Sequence, residues 1–219
     1  MPTTTDYYPA TITGVLLAGG RSQRMGVDKA CINIDGQTLL QRCKQRLAAQ
    51  VEQVLISSND PDSIARLTDA SILSDDNLNG QLNDYSGPLV GILTALLWLK
   101  RNQPEQQWLL SVAVDTPLFP HTLANDLLLC AKNQQRLLVC ASSNQKQHPT
   151  CALWHTALIK PLTDYLLAGE RRLMRFHSKH NAGFVDYAGA PYDPFLNLNT
   201  AGNLVQFLNT KRTRQQCFE

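Results

Sequence analysis

The chain has 219 residues, 43% of them hydrophobic, and a formal net charge of +2. This length allows a sizeable core in one or two domains, and 20 basic against 18 acidic residues argue against a nucleic-acid or membrane-surface protein. The six cysteines form no Cys-x-x-Cys pair and none has a His at zinc-ligand spacing, so we expect no zinc site. The most apolar window, 89–99, is shorter than the ~20 residues of a membrane span. No secretory signal is visible, and we expect a cytoplasmic protein.

Apolar periodicity predicts strands that alternate with helices. Strands are predicted at 12–17, 31–34, 54–56, 71–73, 108–114, 137–141, 151–154 and 184–187. Helices are predicted at 38–50, 61–67, 88–100, 120–131, 156–167, 172–180 and 200–208, and a polar loop at 75–86. The alternation over the first 140 residues favours right-handed βαβ units and a mostly parallel sheet. We expect a single domain over 1–219, with loose termini at 1–10 and 209–219.

A loop rich in glycine and cations follows the first predicted strand. The strand ends at Leu17 and is followed by three residues with little or no side chain, Ala18, Gly19 and Gly20. The loop then carries three cations, Arg21, Arg24 and Lys29. Such a backbone can turn sharply and lets a ligand approach closely, and its N–H groups and cations suit a polyphosphate. Neither the Walker A pattern nor the Gly-x-Gly-x-x-Gly fingerprint is present in this loop.

Asp115 follows the apolar run that predicts the strand at 108–114. Ligands of open α/β sheets bind at the carboxyl ends of the strands. Gly19 also follows a carboxyl end, so both residues should lie at one edge of the sheet. A carboxylate facing a triphosphate needs a cation between them, and Mg2+ takes carboxylates together with substrate phosphates. Asp115 is therefore a candidate metal ligand, and a turn-forming Asp before Thr-Pro is the alternative.

Residues 17–29, Leu-Ala-Gly-Gly-x-Ser-x-Arg-Met-Gly-x-Asp-Lys, resemble the opening loop of nucleotidyltransferases with a Rossmann-like fold. The Gly-Gly and Asp-Lys form is most similar to the molybdenum cofactor guanylyltransferases. The resemblance spans about 11–208 and implies an α/β, three-layer Rossmann-like nucleotidyltransferase fold with a mostly parallel central sheet. It implies transfer of GMP from GTP to the phosphate of molybdenum-molybdopterin, with Mg2+ as cofactor. The implied catalytic residues are Lys29, Arg24 and Asp115, and the implied metal ligand is Asp115.

The resemblance also implies nucleotide-binding residues. They are Leu17, Ala18, Gly19, Gly20, Lys29, Ser57, Asp75, Gly87, Gly91 and Asp115. Ser57 stands where the family places an Asn, and the longer loop before Gly87 would let Asp76 take the role of Asp75. Core packing explains Gly91 equally well.

On the molybdopterin side the resemblance implies three residues, His148, Asn197 and Asn199. Arg171 is added as a candidate for phosphate or pterin binding because it stands in a basic stretch that opens a predicted helix. His148 precedes the strand predicted at 151–154 and would either shape a loop or face the substrate. A solvated basic face is as good an interpretation of Arg171. The two Asn alternate, so in an extended segment both amides point one way; helix capping by Asn199 is the alternative.

Two other functions stay open from the sequence. The first is a cytidylyl- or sugar-1-phosphate nucleotidyltransferase, which keeps the chemistry and changes the substrates. The second is a non-catalytic nucleotide or cofactor delivery protein, against which the presence of both Lys29 and Asp115 argues. In the guanylyltransferase interpretation the partners are GTP and the molybdopterin cofactor as substrates, and molybdoenzyme apoproteins or their chaperones as candidate recipients.

Overall fold

The computed structural model describes residues 12–19, 29–74, 87–188, 192–199, 202–203 and 205. The predicted loop at 75–86, both termini and most of the predicted closing helix at 200–208 lie outside the described residues. No helix in the described part of the chain is long and apolar enough to cross a membrane.

The strands and helices follow the predicted order. The strands are β1 (Ile12–Leu17), β2 (Asn33–Ile34), β3 (Gln37–Thr38), β4 (Gln53–Ser58), β5 (Ser71–Ser74), β6 (Trp108–Ala113), β7 (Leu138–Ser143), β8 (Lys146–His155) and β9 (Gly183–Asp186). The helices are α1 (Leu39–Ala48), α2 (Pro61–Ile64), α3 (Pro88–Asn102), α4 (Leu123–Asn133), α5 (Ile159–Leu167) and α6 (Leu173–Lys179). Single 3-10 turns occupy Lys29–Cys31, Ala65–Leu67 and Thr156–Leu158.

Two local predictions were wrong. The run 31–34 is not one strand, because a 3-10 turn covers Lys29–Cys31 and only Asn33–Ile34 is extended. This short strand forms a hairpin with β3, whose turn has positive φ angles of 50° at Asp35 and 81° at Gly36. His148 does not precede a strand, since β8 begins at Lys146 and contains it.

In the described part of the chain, seven strands form the central sheet in the order β5-β4-β1-β6-β8-β7-β9. β8 is antiparallel to both of its neighbours, and the other neighbouring pairs are parallel. The predicted mostly parallel sheet is confirmed. β1 lies between β4 and β6, so the carboxyl ends of these three strands lie side by side at one edge.

Helices cover both faces of the sheet and complete a three-layer structure. Alternate residues of β1 face opposite layers, with Leu16 in the core beneath α1 and α4 and Val15 in the core beneath α3, α5 and α6. Phe195 and Leu198 belong to the first of these cores. The segment 192–199 therefore lies on the same face as α1.

Helix α1 packs unusually close to β1. A capping box starts the helix, in which Thr38 accepts the Gln41 N–H and the Gln41 side chain accepts the Thr38 N–H. A Cβ at Gly14 would lie 2.8 Å from the Leu47 Cδ2 atom. The missing side chain at Gly14 thus sets how closely α1 approaches the strand that leads to the first loop.

Candidate active site

Backbone hydrogen bonds fix the start of the first loop at the carboxyl edge of the sheet. The Ala18 N–H donates to the Ser57 carbonyl at 2.8 Å, and the Val114 N–H donates to the Leu17 carbonyl at 3.2 Å. These bonds continue the sheet past the end of β1 on both sides. Because the Ala18 N–H is used in this way, any phosphate contact from this backbone must come from residues after Ala18.

Lys29 and Asp115 meet at this edge, although 86 positions separate them in the chain. The Lys29 Nζ donates to the Asp115 Oδ2 at 2.9 Å, and the two side chains are 26% and 16% exposed. The same Nζ donates to the Oδ1 of Asn199. An ammonium has three N–H donors, so these two contacts with described residues leave one donor for an anionic ligand. The predicted approach of Lys29 and Asp115 at one edge of the sheet is observed, and residues 20–28 of the loop lie outside the described residues.

The Asp115 carboxylate suits a hard divalent cation. Its Oδ1 lies 3.5 Å from the Thr116 hydroxyl, whose single proton is better directed to the Asn197 Oδ1 at 2.9 Å. Within the described residues, Oδ1 thus makes no short hydrogen bond. The same part of the chain contains no group of three or more His, Cys, Asp or Glu able to hold a metal. A Mg2+ ion here would take most of its ligands from phosphates and water, as is usual for Mg2+.

The segment 192–199 brings two amides to the same place. The Leu198 N–H donates to the Asp115 carbonyl at 2.8 Å, and the Leu198 side chain is buried between exposed Asn197 and Asn199. The Asn199 N–H donates to the Asn197 carbonyl at 3.0 Å, so a tight turn replaces the expected extended backbone. Each amide accepts a hydrogen bond through Oδ1, from Thr116 or Lys29. Among the described residues no partner accepts from their NH2 groups, which could therefore donate to a ligand.

Ser57 and Gly91 are packed against each other. Ser57 is buried at the end of β4, and a Cβ at residue 91 would lie 2.3 Å from its Oγ. The contact explains why helix α3 has a glycine in its first turn and favours the packing interpretation of Gly91. Gly87 is the N-cap of α3. Helix α3 therefore starts beside the ends of β1 and β4.

Asn59 lies beside Gly19 at the start of the first loop, a neighbour that the sequence reasoning missed. A Cβ at Gly19 would lie 3.3 Å from the Asn59 Nδ2, and both residues are exposed. The family's Asn after the second strand was compared with Ser57, which is buried. Asn59, two residues further on, places an amide beside the first loop, and its position directly after the end of β4 was the available signal.

The other two residues of the molybdopterin-side set, His148 and Arg171, make contacts in two different parts of the structure. His148 is buried in β8, stacks on Phe195 with ring centroids 4.5 Å apart, and shares a 2.7 Å hydrogen bond with Ser143. Burial lowers the pKa of its imidazole. These contacts favour the loop-shaping role over a substrate contact.

Arg171 donates from its guanidinium to the carbonyls of Leu166 and Glu170 at the end of α5. Helix α5 packs on the face of the sheet opposite to Phe195. The described contacts thus do not bring Arg171 to Asp115, and its substrate role stays a prediction. Gly20, Arg24, Asp75 and Asp76 lie outside the described residues.

A family model described as the MobA-like NTP transferase domain matches residues 14–182. The chain belongs to this family. A molybdenum cofactor guanylyltransferase of Histophilus somni is 34% identical over 200 residues, which are 91% of this chain and 97% of that protein. A molybdenum cofactor guanylyltransferase of Rhizobium meliloti is 37% identical over 199 residues, 88% of each chain.

Solved structures share the MobA-like fold at lower identity. Molybdopterin-guanine dinucleotide biosynthesis protein A from Archaeoglobus fulgidus superposes with a TM-score of 0.68 at 17% identity, over 89% of this chain and 95% of that one. A nucleotidyl transferase from Methanothermobacter thermautotroptrophicus gives a TM-score of 0.68 at 14% identity, over 93% and 99%. These likenesses confirm the Rossmann-like nucleotidyltransferase fold.

Proposed function

We propose that this chain transfers GMP from GTP to the terminal phosphate of molybdenum-molybdopterin and releases pyrophosphate. The observation that carries the proposal is the cluster of Lys29, Asp115 and Asn199 at the carboxyl edge of the sheet, where β1 and β6 end side by side. The choice of substrates is supported by relatives named molybdenum cofactor guanylyltransferase, which match about nine-tenths of the chain.

The reaction needs little covalent help from the protein. A phosphate monoester has its second pKa at about 6, so the attacking oxygen is ionised at neutral pH without a general base. That oxygen forms a bond to the α-phosphorus of GTP while the bond from this phosphorus to the bridging oxygen breaks. Lys29 donates to the phosphate oxygens on which negative charge then develops. Arg24 would add a second cation to the leaving pyrophosphate.

Asp115 would hold a Mg2+ ion through its carboxylate, and the ion, when bound, neutralises phosphate charge. The exposed NH2 groups of Asn197 and Asn199 would donate to acceptors on molybdopterin. Gly19 and Asn59 would line the nucleotide side of the same edge. The dinucleotide product would then pass to molybdoenzyme apoproteins or their chaperones.

The test is pyrophosphate release from the purified protein with molybdenum-molybdopterin, Mg2+ and one of GTP, CTP or UTP. We expect turnover with GTP, and a loss of about 100-fold or more in Lys29→Ala and in Asp115→Asn because each removes charge stabilisation from the transition state. The matched control is Lys44→Ala, a lysine whose partner Asp69 lies on the surface. No pyrophosphate with GTP would refute the proposal, and faster turnover with CTP would make the chain a cytidylyltransferase.

The delivery alternative has its own test. Activity of a recipient molybdoenzyme is measured in cells that carry Asp115→Asn as the only copy. We expect this activity to disappear, because the product is no longer made. Full molybdoenzyme activity would favour delivery without catalysis.

A further inference from the structure

Among the described residues, the segment 192–199 has no strand partner, yet it carries Asn197 and Asn199 to the site. Apart from the Leu198 N–H bond to the Asp115 carbonyl, the described contacts that hold it in place are made by side chains. Its main apolar anchor is Phe195, which is buried between His148, stacked at 4.5 Å, and Tyr187, edge-on at 5.4 Å. The aromatic contacts fix the depth of the segment but include no hydrogen bond.

Directional contacts come from a series of hydrogen bonds next to this ring, which links His148, Ser143 and Asp193 and is called the polar chain below. The Asp193 Oδ1 accepts the Phe195 N–H at 2.9 Å and the Ser143 hydroxyl at 3.1 Å. The Ser143 Oγ is also 2.7 Å from the His148 Nε2. Because Ser143 has one proton and the carboxylate accepts it, the Nε2 of His148 carries the hydrogen of the remaining bond. His148 thus donates to Ser143, and Ser143 donates to Asp193. A single arrangement of the hydrogens satisfies every bond.

Burial makes these hydrogen bonds costly to break. Ser143 is 2% exposed and His148 is buried as well, so breaking either bond leaves a polar atom without water. Ser143 lies in β7, His148 in β8 and Asp193 in the segment itself. The contacts tie the start of the segment to the β7–β8 pair, while the Leu198 N–H ties its end to Asp115.

We propose that Ser143, His148 and Asp193 are positioning residues that hold segment 192–199 so that Asn197 and Asn199 face the acceptor substrate. The inference rests on the proposed function for the identity of that substrate. Lys29 keeps its second partner, Asp115, when the segment shifts. Loss of the polar chain should therefore weaken acceptor binding and leave nucleotide binding in place.

The first measurement does not depend on activity. It is the hydrogen-exchange rate of the Leu198 amide, followed by NMR in Ser143→Ala, Asp193→Ala and Asp193→Asn. We expect exchange about tenfold faster in both alanine variants, because a buried hydrogen bond is lost. Asp193→Asn should stay near wild type, since its amide oxygen still accepts both bonds. The control is Ser142→Ala, whose hydroxyl contacts Val185 and Asp186 instead of the segment.

The second measurement is steady-state kinetics with both substrates. We expect the KM for molybdenum-molybdopterin to rise about tenfold in the alanine variants, with the KM for GTP little changed, and we expect Asp193→Asn to recover the acceptor KM. Unchanged Leu198 exchange, or an equal effect of Ser142→Ala, would overturn the inference. Should Asp193→Ala not fold, Ser143→Ala decides, because it leaves the Phe195 bond to Asp193 intact. Wild-type protein without turnover would refute the proposed function. The Leu198 exchange rate would still test whether Ser143 and Asp193 hold the segment 192–199.

Discussion

His177 in α6 offers a quantitative test of the packing between helices and sheet. Its side chain is 1% exposed, and its ring meets Trp154 edge-on at 5.1 Å. Neither ring nitrogen has a hydrogen-bond partner among the described residues. Burial lowers the pKa of this imidazole from 6.5 to about 4.

The sign of the pH effect follows from proton binding. Between pH 6.5 and about 4 the His177 imidazole binds a proton in the unfolded chain but not in the folded protein. Acidification through this window therefore favours unfolding. The contribution of His177 to stability is complete above the upper value and is lost as the pH falls. Each pH unit is worth 1.36 kcal/mol, which gives a loss of about 2 kcal/mol by pH 5 and about 3 kcal/mol by pH 4.

The perturbation is His177→Leu, which places an apolar side chain at this buried position and removes the titratable group. Free energies of unfolding in urea are compared at pH 7 and pH 5 for wild type and variant. We expect the wild type to lose about 2 kcal/mol more than the variant over this range. The control is His180→Gln, because His180 is partly exposed and its removal should change the slope less. Parallel stability profiles of wild type and His177→Leu would refute the reasoning.

Two further predictions concern the nucleotide side of the site. Gly91→Ala should lower the free energy of unfolding by about 1–3 kcal/mol, because the new methyl would lie 2.3 Å from the Ser57 Oγ; adding Ser57→Ala should recover part of this loss, and unchanged stability of Gly91→Ala in urea would contradict the close packing. Asn59→Ala should raise the KM for GTP about tenfold, as expected for one lost hydrogen bond, without changing the melting temperature. Asn102→Ala, at the distant end of α3, is the matched control, and equal kinetic effects of the two variants would exclude a nucleotide contact by Asn59.

Much of the fold followed from apolar patterns, because buried parallel strands are continuous apolar runs. β1 has the predicted bounds, since six buried residues are followed by a sequence without bulk. The direction of successive βαβ units then placed Gly19 and Asp115 at one edge. This topology is why the Lys29–Asp115 contact could be anticipated without coordinates.

The pattern failed where a strand is polar. β8 starts with Lys146, Gln147 and His148 and includes Pro149, a residue that usually excludes a strand. Pro149 is tolerated because β8 is paired with β6 only from Ala152 onward, so its first half has a single partner, β7.

The missed site contacts are tertiary. The pairing of Asn59 with Gly19, and of His148 with Ser143 and Asp193, depends on how strand ends and the segment 192–199 meet in space. No spacing in the sequence encodes these distances. Arg171 was chosen from local charge alone, which does not tell which face of a sheet a residue occupies.

The central place of β1 has a consequence for translation. This strand leaves the ribosome first among the described strands, yet Ile12 pairs with Trp108 of β6. The side of β1 that faces β6 therefore stays unpaired until the chain has been made as far as β6. Nascent chains that stop before β6 would expose an apolar strand with one unpaired side, which is the kind of surface that recruits chaperones or aggregates.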